Sequence, residues 1–332
     1  MTEPAADTGS FTDASDPFSP TSDEINPPDV VVRSSDGVDF HAHKAILSFG
    51  SVVFKDMFAF PEPSGESANA TRDGKPVVAL PESSKTVEKL LILCYPRFTT
   101  TYIFRDLDGV DEAYVSAGKY QIPGGQKMIE QLLEDPGFLE KEPHRVFTIA
   151  CHRGLGTVAK LAAMQTLKMP RYVPNISVPE FKLITAYQLR QLEDFHYRCS
   201  ESIGELLQEY TFPVEGSYLS YPDQYPEYSA VWWATIGHGM GCGPHEDEGD
   251  VFPAKWLRGH IARVREAAVL RPHPDAISKA MSELSSTTLT AMSDCPKCVQ
   301  LAPGSLGVES FNLQLKATQV YAKVLSQFSF VV

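Results

Sequence analysis

The chain has 332 residues, 43% of them hydrophobic and 21% charged, which is enough for about two globular domains. Its formal net charge of −13 argues against a broad basic surface for nucleic acid and against docking on an anionic membrane. The sequence shows neither an apolar run long enough to span a bilayer nor an apolar N-terminal signal stretch. We therefore expect an intracellular protein, in the cytoplasm or the nucleus.

The first segment, residues 1–28, contains six acidic side chains and no Lys or Arg, and Pro, Ser and Thr make up most of the rest. Such a composition buries too little apolar surface to offset the entropy lost on ordering the chain. The sequence therefore predicts a disordered acidic leader over 1–28.

A compact region of mixed strands and helices is predicted next. Two β-prone runs, 30–32 and 38–40, flank Asp36-Gly37 and predict a hairpin. Residues 43–58 have helical spacing, and Ser51 is placed to cap a second short helix. A strand over 77–80 and further helices follow.

The pattern from Gln126 onward is almost purely helical. Thr185 and Gln188 are spaced as a capping box at the start of a long amphipathic helix. A Tyr- and Pro-rich stretch, 211–228, breaks the pattern and marks a boundary. Three helices are predicted after it, over Lys255–Leu270, Asp275–Leu289 and Leu306–Leu325.

Three closely spaced motifs in residues 29–58 together resemble the BTB/POZ domain. They are Asp29-Val30-Val31, Phe40-His41-Ala42-His43-Lys44-Ala45-Ile46-Leu47 and Ser51-Val52-Val53-Phe54-Lys55-Asp56-Met57-Phe58. The residues that match the family signature are Phe40, His43, Leu47, Ser51, Phe54, Met57 and Phe58. The resemblance covers residues 29–135, and the whole chain is also similar to the short BTB proteins abundant in basidiomycete fungi.

The resemblance implies an α+β fold, with a small mixed sheet and helices, followed by an all-helical C-terminal region. By analogy, residues 136–210 form a helical region like the BACK domain, and 211–332 form a helical tail with Cys/His knuckles. The implied function is protein–protein interaction, as a homodimerising adaptor or scaffold for an unidentified protein ligand.

Within the family, a charged pocket at the dimer interface uses an Asp and a basic residue, which match Asp29 and Lys44 here. The alternative is that Asp29 and Lys44 are a surface cap and a solvated charge. His43 has no carboxylate or cysteine motif beside it, so we expect a hydrogen-bonded histidine at the edge of the core.

A second partner is implied by the many BTB proteins that recruit substrates to a cullin ubiquitin ligase. Their cullin-binding stretch carries a hydrophobic-x-Glu triplet after the second helix, and Phe60-Pro61-Glu62 has this pattern. Phe60 and Glu62 are therefore candidate cullin contacts. The alternative is a plain surface loop.

The tail contains one constellation with metal-binding chemistry. Cys242-Gly243-Pro244-His245 and Cys295-Pro296-Lys297-Cys298 are two-ligand knuckles that together supply four ligands for tetrahedral zinc. Cys242, His245, Cys295 and Cys298 thus predict a structural zinc site, and free thiols are the alternative. The hypothesis from another class is a zinc-dependent enzyme using this cluster, but no carboxylate pair, catalytic triad or metalloprotease motif accompanies it. We predict that the chain is not an enzyme.

Overall fold

The computed structural model describes nine segments of the chain, and the chain divides into two compact units, Met1–Phe138 and Leu139–Val332. For the short strands between residues 214 and 252, only the backbone is described. The described residues are 11–20, 26–59, 70–95, 104–170, 178–208, 214–215, 245–247, 250–252 and 255–331.

The first unit is built on a five-stranded mixed sheet with the order β1-β3-β2-β5-β4. Strands β2 and β3 are antiparallel, with Val32 opposite Phe40, whereas β2 and β5 are parallel, with Val31 opposite Val77. The strands are β1 (Thr12–Asp13), β2 (Val30–Arg33), β3 (Val38–Ala42), β4 (Thr71–Arg72) and β5 (Lys75–Ala79). The Asp36-Gly37 hairpin is present as predicted, and Gly37 adopts the left-handed conformation (φ 80°) that favours glycine.

Residues 11–20 differ from the predicted disordered leader, because Thr12–Asp13 pair with this sheet and Phe18 is buried. Strand β1 pairs in parallel with β3, placing Thr12 opposite Val38. Phe18 is buried and makes edge-on contacts with the rings of Phe40 and Tyr95. Composition alone predicted disorder, and it failed here because two tertiary anchors, the strand pairing and Phe18, compensate for ordering a polar segment.

Five helices are described in the first unit beside this sheet. Helix α3 is buried along most of its length and packs against α1, β3 and α4. The helices are α1 (Lys44–Gly50), α2 (Val52–Ala59), α3 (Ser84–Cys94), α4 (Val110–Lys119) and α5 (Gly125–Leu133).

The second unit is a helical assembly. Helices α7 and α8 pack against each other. The turn between them contains Gly154, which has a left-handed backbone (φ 73°) at the end of α7. The helices are α6 (Pro136–Lys141), α7 (Pro143–Arg153), α8 (Gly156–Thr166), α9 (Ala186–Gln208), α10 (Lys255–Leu270), α11 (Pro274–Ser282), α12 (Ser286–Ser293) and α13 (Pro296–Leu325). A 3₁₀ turn over Pro179–Leu183 precedes α9.

Helix α9 begins at the predicted capping box. The backbone N–H of Gln188 donates to the Thr185 hydroxyl (3.2 Å), and the side-chain Oε1 of Gln188 accepts from the Thr185 backbone N–H (2.9 Å). The Gln188 amide also donates to the backbone carbonyl of Phe330 (3.2 Å). The ring of Phe330 contacts Phe147 and Phe195, so the end of the chain closes an aromatic core between α7 and α9.

Two helices of the tail differ from their predicted bounds. The helix expected over Asp275–Leu289 is divided into α11 and α12, because Ser285 caps a new helix by accepting from the Thr288 N–H (3.2 Å). The last helix begins at Pro296, ten residues earlier than Leu306, and continues through Pro303.

Apart from these helices, the second unit contains a three-stranded antiparallel sheet with the order β6-β8-β7. Its strands are β6 (Val214–Glu215), β7 (His245–Asp247) and β8 (Asp250–Phe252). Within the described part of the C-terminal region, the structure is helical apart from this small sheet. Among the described residues, no helix is both long and apolar enough to cross a membrane.

Candidate functional site

The surface at the start of α1 is organised by Asp29, which lies just before β2. Its carboxylate accepts a hydrogen bond from the backbone N–H of Lys44 (2.7 Å), the first residue of α1. A carboxylate at this position satisfies an orphan amide and opposes the positive end of the helix dipole. The Lys44 ammonium lies 5.9 Å from the centre of the Phe58 ring, within cation–π range. The structure thus brings Asp29 to the first turn of the helix that carries Lys44.

His43 occupies a structural position beside this pair. Its Nδ1 is 2.9 Å from the Tyr95 hydroxyl, and its Nε2 is 2.7 Å from the carbonyl oxygen of Asn26. Its backbone N–H also donates to the Tyr95 hydroxyl (3.0 Å). His43 is half-buried, and these contacts join α1 to the end of α3 and to the chain before β2.

The signature residues mostly form the core under this surface. Phe40, Leu47, Ser51 and Phe54 are buried, whereas Met57 is exposed. The Phe54 ring stacks on Tyr120 at 5.1 Å and on Phe58 at 6.1 Å.

Ser51 links two helix ends and fixes the corner between α1 and α2. Its hydroxyl donates to the Tyr120 carbonyl oxygen (2.6 Å) and accepts from the Phe54 N–H (3.1 Å), capping α2 as predicted. A Cβ added at Gly50 would lie 2.7 Å from the Cα of Cys94, so only glycine fits at this close approach. The corner is therefore held tightly against the end of α3.

Two apolar side chains project from this corner into solvent. Phe49 is 84% exposed, the largest exposed fraction among the large hydrophobic side chains that the structure describes, and Val52 is 44% exposed. Ala45, one turn before Phe49 on α1, is also exposed. Exposed phenylalanine on a rigid corner is the arrangement expected of an interaction anchor.

A groove of about 550 Å³ begins at Val52 and continues along the turn between α4 and α5. Its wall combines apolar Ile122 and Pro123 with the charged ends of Lys127 and Glu130. The groove is open, so it suits a side chain or short segment of another protein.

Sequence reasoning missed a buried ion cluster on the sheet. Asp39 is fully buried and accepts two hydrogen bonds from Arg33 (2.6 and 2.8 Å) and one from Arg72. Burial by itself would raise the pKa of Asp39, but the hydrogen bonds from the two arginines outweigh it and hold that pKa below its usual value. Asp13 of β1 extends the cluster to Arg72 (3.0 Å) and to His41 (2.9 Å).

Val38, Phe40 and Ala42 alternate with Asp39 and His41 along β3, and such alternation predicts that only one face of the strand is buried. Both Asp39 and His41, on the expected polar face, are buried as well. The N-terminal segment accounts for this difference, because Asp13 bonds His41 and the Phe11 ring lies 3.4 Å from the Arg33 guanidinium carbon. The cluster holds β1 to the sheet and is structural.

The predicted metal ligands are only partly described. Cys295 lies at the N-cap of α13 and Cys298 in its first turn, and both are buried. His245 belongs to β7, where only the backbone is described, and Cys242 lies outside the described residues. Within the described segments, no three His, Cys, Asp or Glu side chains are grouped to hold a metal, so the four-ligand site stays a prediction. Phe60 and Glu62 also lie outside the described residues.

Three other cysteines are buried and unreactive in character. Burial raises the pKa of the Cys94 and Cys151 thiols to about 12 and raises that of Cys199 further. Such thiols stay protonated near neutral pH and are poor nucleophiles.

Comparison with known proteins agrees with the architecture of the first unit. The model of the BTB/POZ domain family matches residues 18–136. No curated protein matches the chain. The match begins at Phe18, the buried aromatic side chain of the N-terminal segment, and ends at the first residue of α6.

Proposed function

Since residues 18–136 form a BTB/POZ domain, which is a protein–protein interaction module, we propose that this chain is a self-associating adaptor or scaffold. Two copies associate through the corner of α1 and α2, and the helical region carries a protein ligand. The observation that carries the proposal is Phe49, whose side chain is 84% exposed.

The ring of Phe49 is exposed to water, so covering it in an interface is energetically favourable. Covering a phenylalanine side chain stabilises an assembly by about 1.5–3 kcal/mol, and a two-fold axis covers it twice. Ala45 and Phe49 lie one turn apart on the exposed side of α1. This pairing of a small and a large side chain lets Phe49 of each copy pack beside Ala45 of the other.

Sedimentation equilibrium of the full chain tests this proposal. We expect Phe49→Asp to weaken self-association at least tenfold, because it places a charge inside the interface. The folded chain should keep its helical circular-dichroism signal, since Phe49 makes little contact within it. Val115→Asp is the matched control, as Val115 is 47% exposed on α4 of the same domain. Equal association constants for Phe49→Asp and Val115→Asp would refute an interface at this corner.

Asp29 and Lys44 are proposed as the charged pair of the same interface. Lys44→Asp should weaken association, and the exchange Asp29→Lys with Lys44→Asp should recover part of it if the two residues meet across the axis. Asp29→Lys alone also removes the cap of α1 and should cost about 1 kcal/mol of folding stability. Thermal unfolding separates that local cost from the change in association.

A cullin ubiquitin ligase is the second candidate partner, favoured by the open groove that begins on α2 at Val52. Calorimetric titration with the N-terminal domain of the BTB-type cullin tests it. Binding at micromolar strength that weakens with Glu62→Ala, but not with Glu66→Ala in the same stretch of sequence, would support ligase recruitment. Absence of heat at high micromolar concentration would leave the scaffold function alone.

A structural zinc in the tail is also proposed, with Cys242, His245, Cys295 and Cys298 as ligands. It is supported by Cys295 and Cys298, which lie within one turn at the start of α13. Filled by four protein ligands, such a metal stabilises the tail and leaves no open position for catalysis. Elemental analysis should find one zinc per chain, lost in Cys298→Ser and kept in Cys199→Ser. A metal-free wild-type protein would eliminate both the structural site and the zinc-enzyme alternative.

A further inference from the structure

The inner face of α13 packs in the core of the second unit. Its fully or almost fully buried side chains include Leu306, Leu313, Ala317 and Tyr321. Together with buried Glu309, these positions recur every three or four residues and account for the packing of the helix against α11 and α9.

The opposite face of α13 is apolar as well, yet it is exposed. Phe311 is 66% exposed, Val308 61% and Leu315 52%. With Leu301, Gly304 and Ala322 they form one stripe, which we call the outer stripe. An amphipathic surface helix normally has polar residues on this side, so a helix apolar on both sides is expected to be covered on both.

The outer stripe has the spacing of a coiled-coil seam. Its residues follow one another at alternating intervals of three and four, with Thr318 completing the series between Leu315 and Ala322. This heptad pattern keeps one face of a helix toward a partner helix over about six turns, or roughly 33 Å. A helix is therefore the partner that fits the stripe.

The residues flanking the stripe favour a second copy of this chain over a different helix. They are Gln300, Ser305, Gly307, Asn312, Gln314 and Gln319, all uncharged. Helices that select a different partner do so mainly through charges at these flanking positions. Here no such charge is present, so a partner with charged flanks would leave its own charges unpaired, whereas an identical copy would not.

Side-chain size also defines the direction of pairing. In an antiparallel pair centred close to Phe311, bulky Leu301 lies opposite Ala322, Gly304 opposite Thr318 and Val308 opposite Leu315, each to within one residue, and Phe311 lies opposite its own copy. A Cβ added at Gly304 or at Gly307 meets no atom within 4 Å, so the backbone is open to close approach there.

We propose that α13 pairs with α13 of a second copy, antiparallel, through the outer stripe. This interface belongs to the second unit and does not depend on the corner of α1 and α2. It gives the chain a second means of self-association.

Sedimentation equilibrium in the Phe49→Asp background separates the two interfaces. We expect the full-length Phe49→Asp chain to remain dimeric over a micromolar concentration range, and Phe49→Asp with Phe311→Asp to be monomeric. Leu161→Asp, at a 42%-exposed leucine on α8, replaces Phe311→Asp as the matched control and should leave the dimer intact. A monomeric Phe49→Asp chain, or a dimer that Phe311→Asp does not change, would overturn the α13 pairing.

The single variants distinguish failure of the α13 interface from failure of the proposed corner interface. If Phe311→Asp alone gives monomers and Phe49→Asp alone changes nothing, the α13 interface stands and the corner interface fails. If Phe49→Asp alone gives monomers and Phe311→Asp alone has no effect, the corner interface stands and the α13 interface fails.

Engineered cysteines test the direction of the pair. Under mild oxidation, Leu301→Cys mixed with Ala322→Cys should form a disulfide-linked heterodimer, whereas Leu301→Cys alone should not link to itself. In the antiparallel pair, two copies of residue 301 lie ~32 Å apart. Wild-type protein, in which the described cysteines are all buried, measures background cross-linking. Self-linking of Leu301→Cys in place of the heterodimer would overturn the antiparallel arrangement.

Discussion

The hydroxyl of Tyr321 is a buried polar group without a hydrogen-bond partner among the described residues. Removing it deletes a desolvated oxygen and no hydrogen bond, so Tyr321→Phe should leave the free energy of unfolding unchanged or raise it by up to ~1 kcal/mol. Tyr120→Phe is the opposite case, because its hydroxyl donates to Glu82 (2.8 Å). That variant should lose ~1 kcal/mol. Urea unfolding measures both, and a loss of stability in Tyr321→Phe would mean that its hydroxyl is bonded in solution.

His273 gives the second unit a stability that depends on pH. Its Nδ1 accepts a hydrogen bond from the Asp275 N–H (3.1 Å) at the start of α11, which only a neutral ring can do. Burial lowers the pKa of His273 to about 4; the nearby Asp275 opposes this shift, and Lys168 adds to it. Because the folded pKa lies below the unfolded value of ~6.5, the stabilisation is complete above pH ~6.5 and is lost as the pH falls toward ~4.

The replacement His273→Asn isolates this effect, since asparagine caps a helix without titrating. Unfolding free energy measured from pH ~7 to ~4 should fall less steeply in the variant, by at most ~1.4 kcal/mol per pH unit. His144 and His260 also have pKa values lowered by burial, so a residual slope is expected in both proteins. Parallel curves for the two proteins would show that the pKa of His273 is the same in the folded and unfolded states.

At the scale of elements, β1 and the residues that follow it contribute to the stability of the first unit. Residues 11–20 contribute the strand pairing with β3, the ring of Phe18 and the ion pairs of Asp13. Removing residues 1–20 should therefore lower the melting temperature of the domain by several degrees, because a Phe removed from a core costs ~3–5 kcal/mol. A chain lacking only residues 1–10 is the control. Equal melting temperatures for the two truncated proteins would restore the interpretation of 1–28 as a dispensable leader.

The elements that the sequence predicted well are those with local chemistry. Asp36-Gly37, Ser51, and the pair Thr185 and Gln188 each specify a turn or cap within a few residues, and the structure contains all three features. Phe18 carries no local signal, since it is one aromatic residue in a polar segment whose order comes from Phe40 and Tyr95. Elements held only by tertiary contacts are beyond such rules.

The candidate surface likewise combines residues with a local sequence signal and residues that only tertiary contacts bring together. Asp29 and Lys44 were found through a motif, and the structure places the Asp29 carboxylate on the Lys44 amide. From the sequence, Val30, Val32, Ile46 and Phe49 are the apolar side chains that could form a symmetric dimer surface. In the structure Phe49 is exposed, whereas Val30 and Val32 are fully buried. Val30 and Val32 lie in the central strand β2 of the sheet, and the pairing of that strand on both sides is not evident from its apolar sequence. The ions around Asp39 were missed because Arg72, distant in sequence, completes the cluster.

At the scale of the whole molecule, a formal charge of −13 opposes the approach of two copies. Apolar contacts at Phe49 and at the outer stripe must exceed this repulsion, which salt screens over about 10 Å at 0.1 M. Self-association of the wild-type chain should therefore strengthen as salt is raised toward that concentration. An association constant that falls with salt would indicate that ion pairs, rather than apolar contacts, hold the copies together.

Two independent two-fold interfaces on one chain also predict the oligomeric state of each interface variant. Each interface pairs one surface with itself, so blocking either one leaves dimers held by the other, and blocking both leaves monomers. Light scattering coupled to chromatography should thus show dimers for Phe49→Asp and for Phe311→Asp, and monomers for the double variant. Val115→Asp with Leu161→Asp controls for two added charges and should match the wild-type mass. A double variant that remains dimeric would place self-association on a surface other than these two.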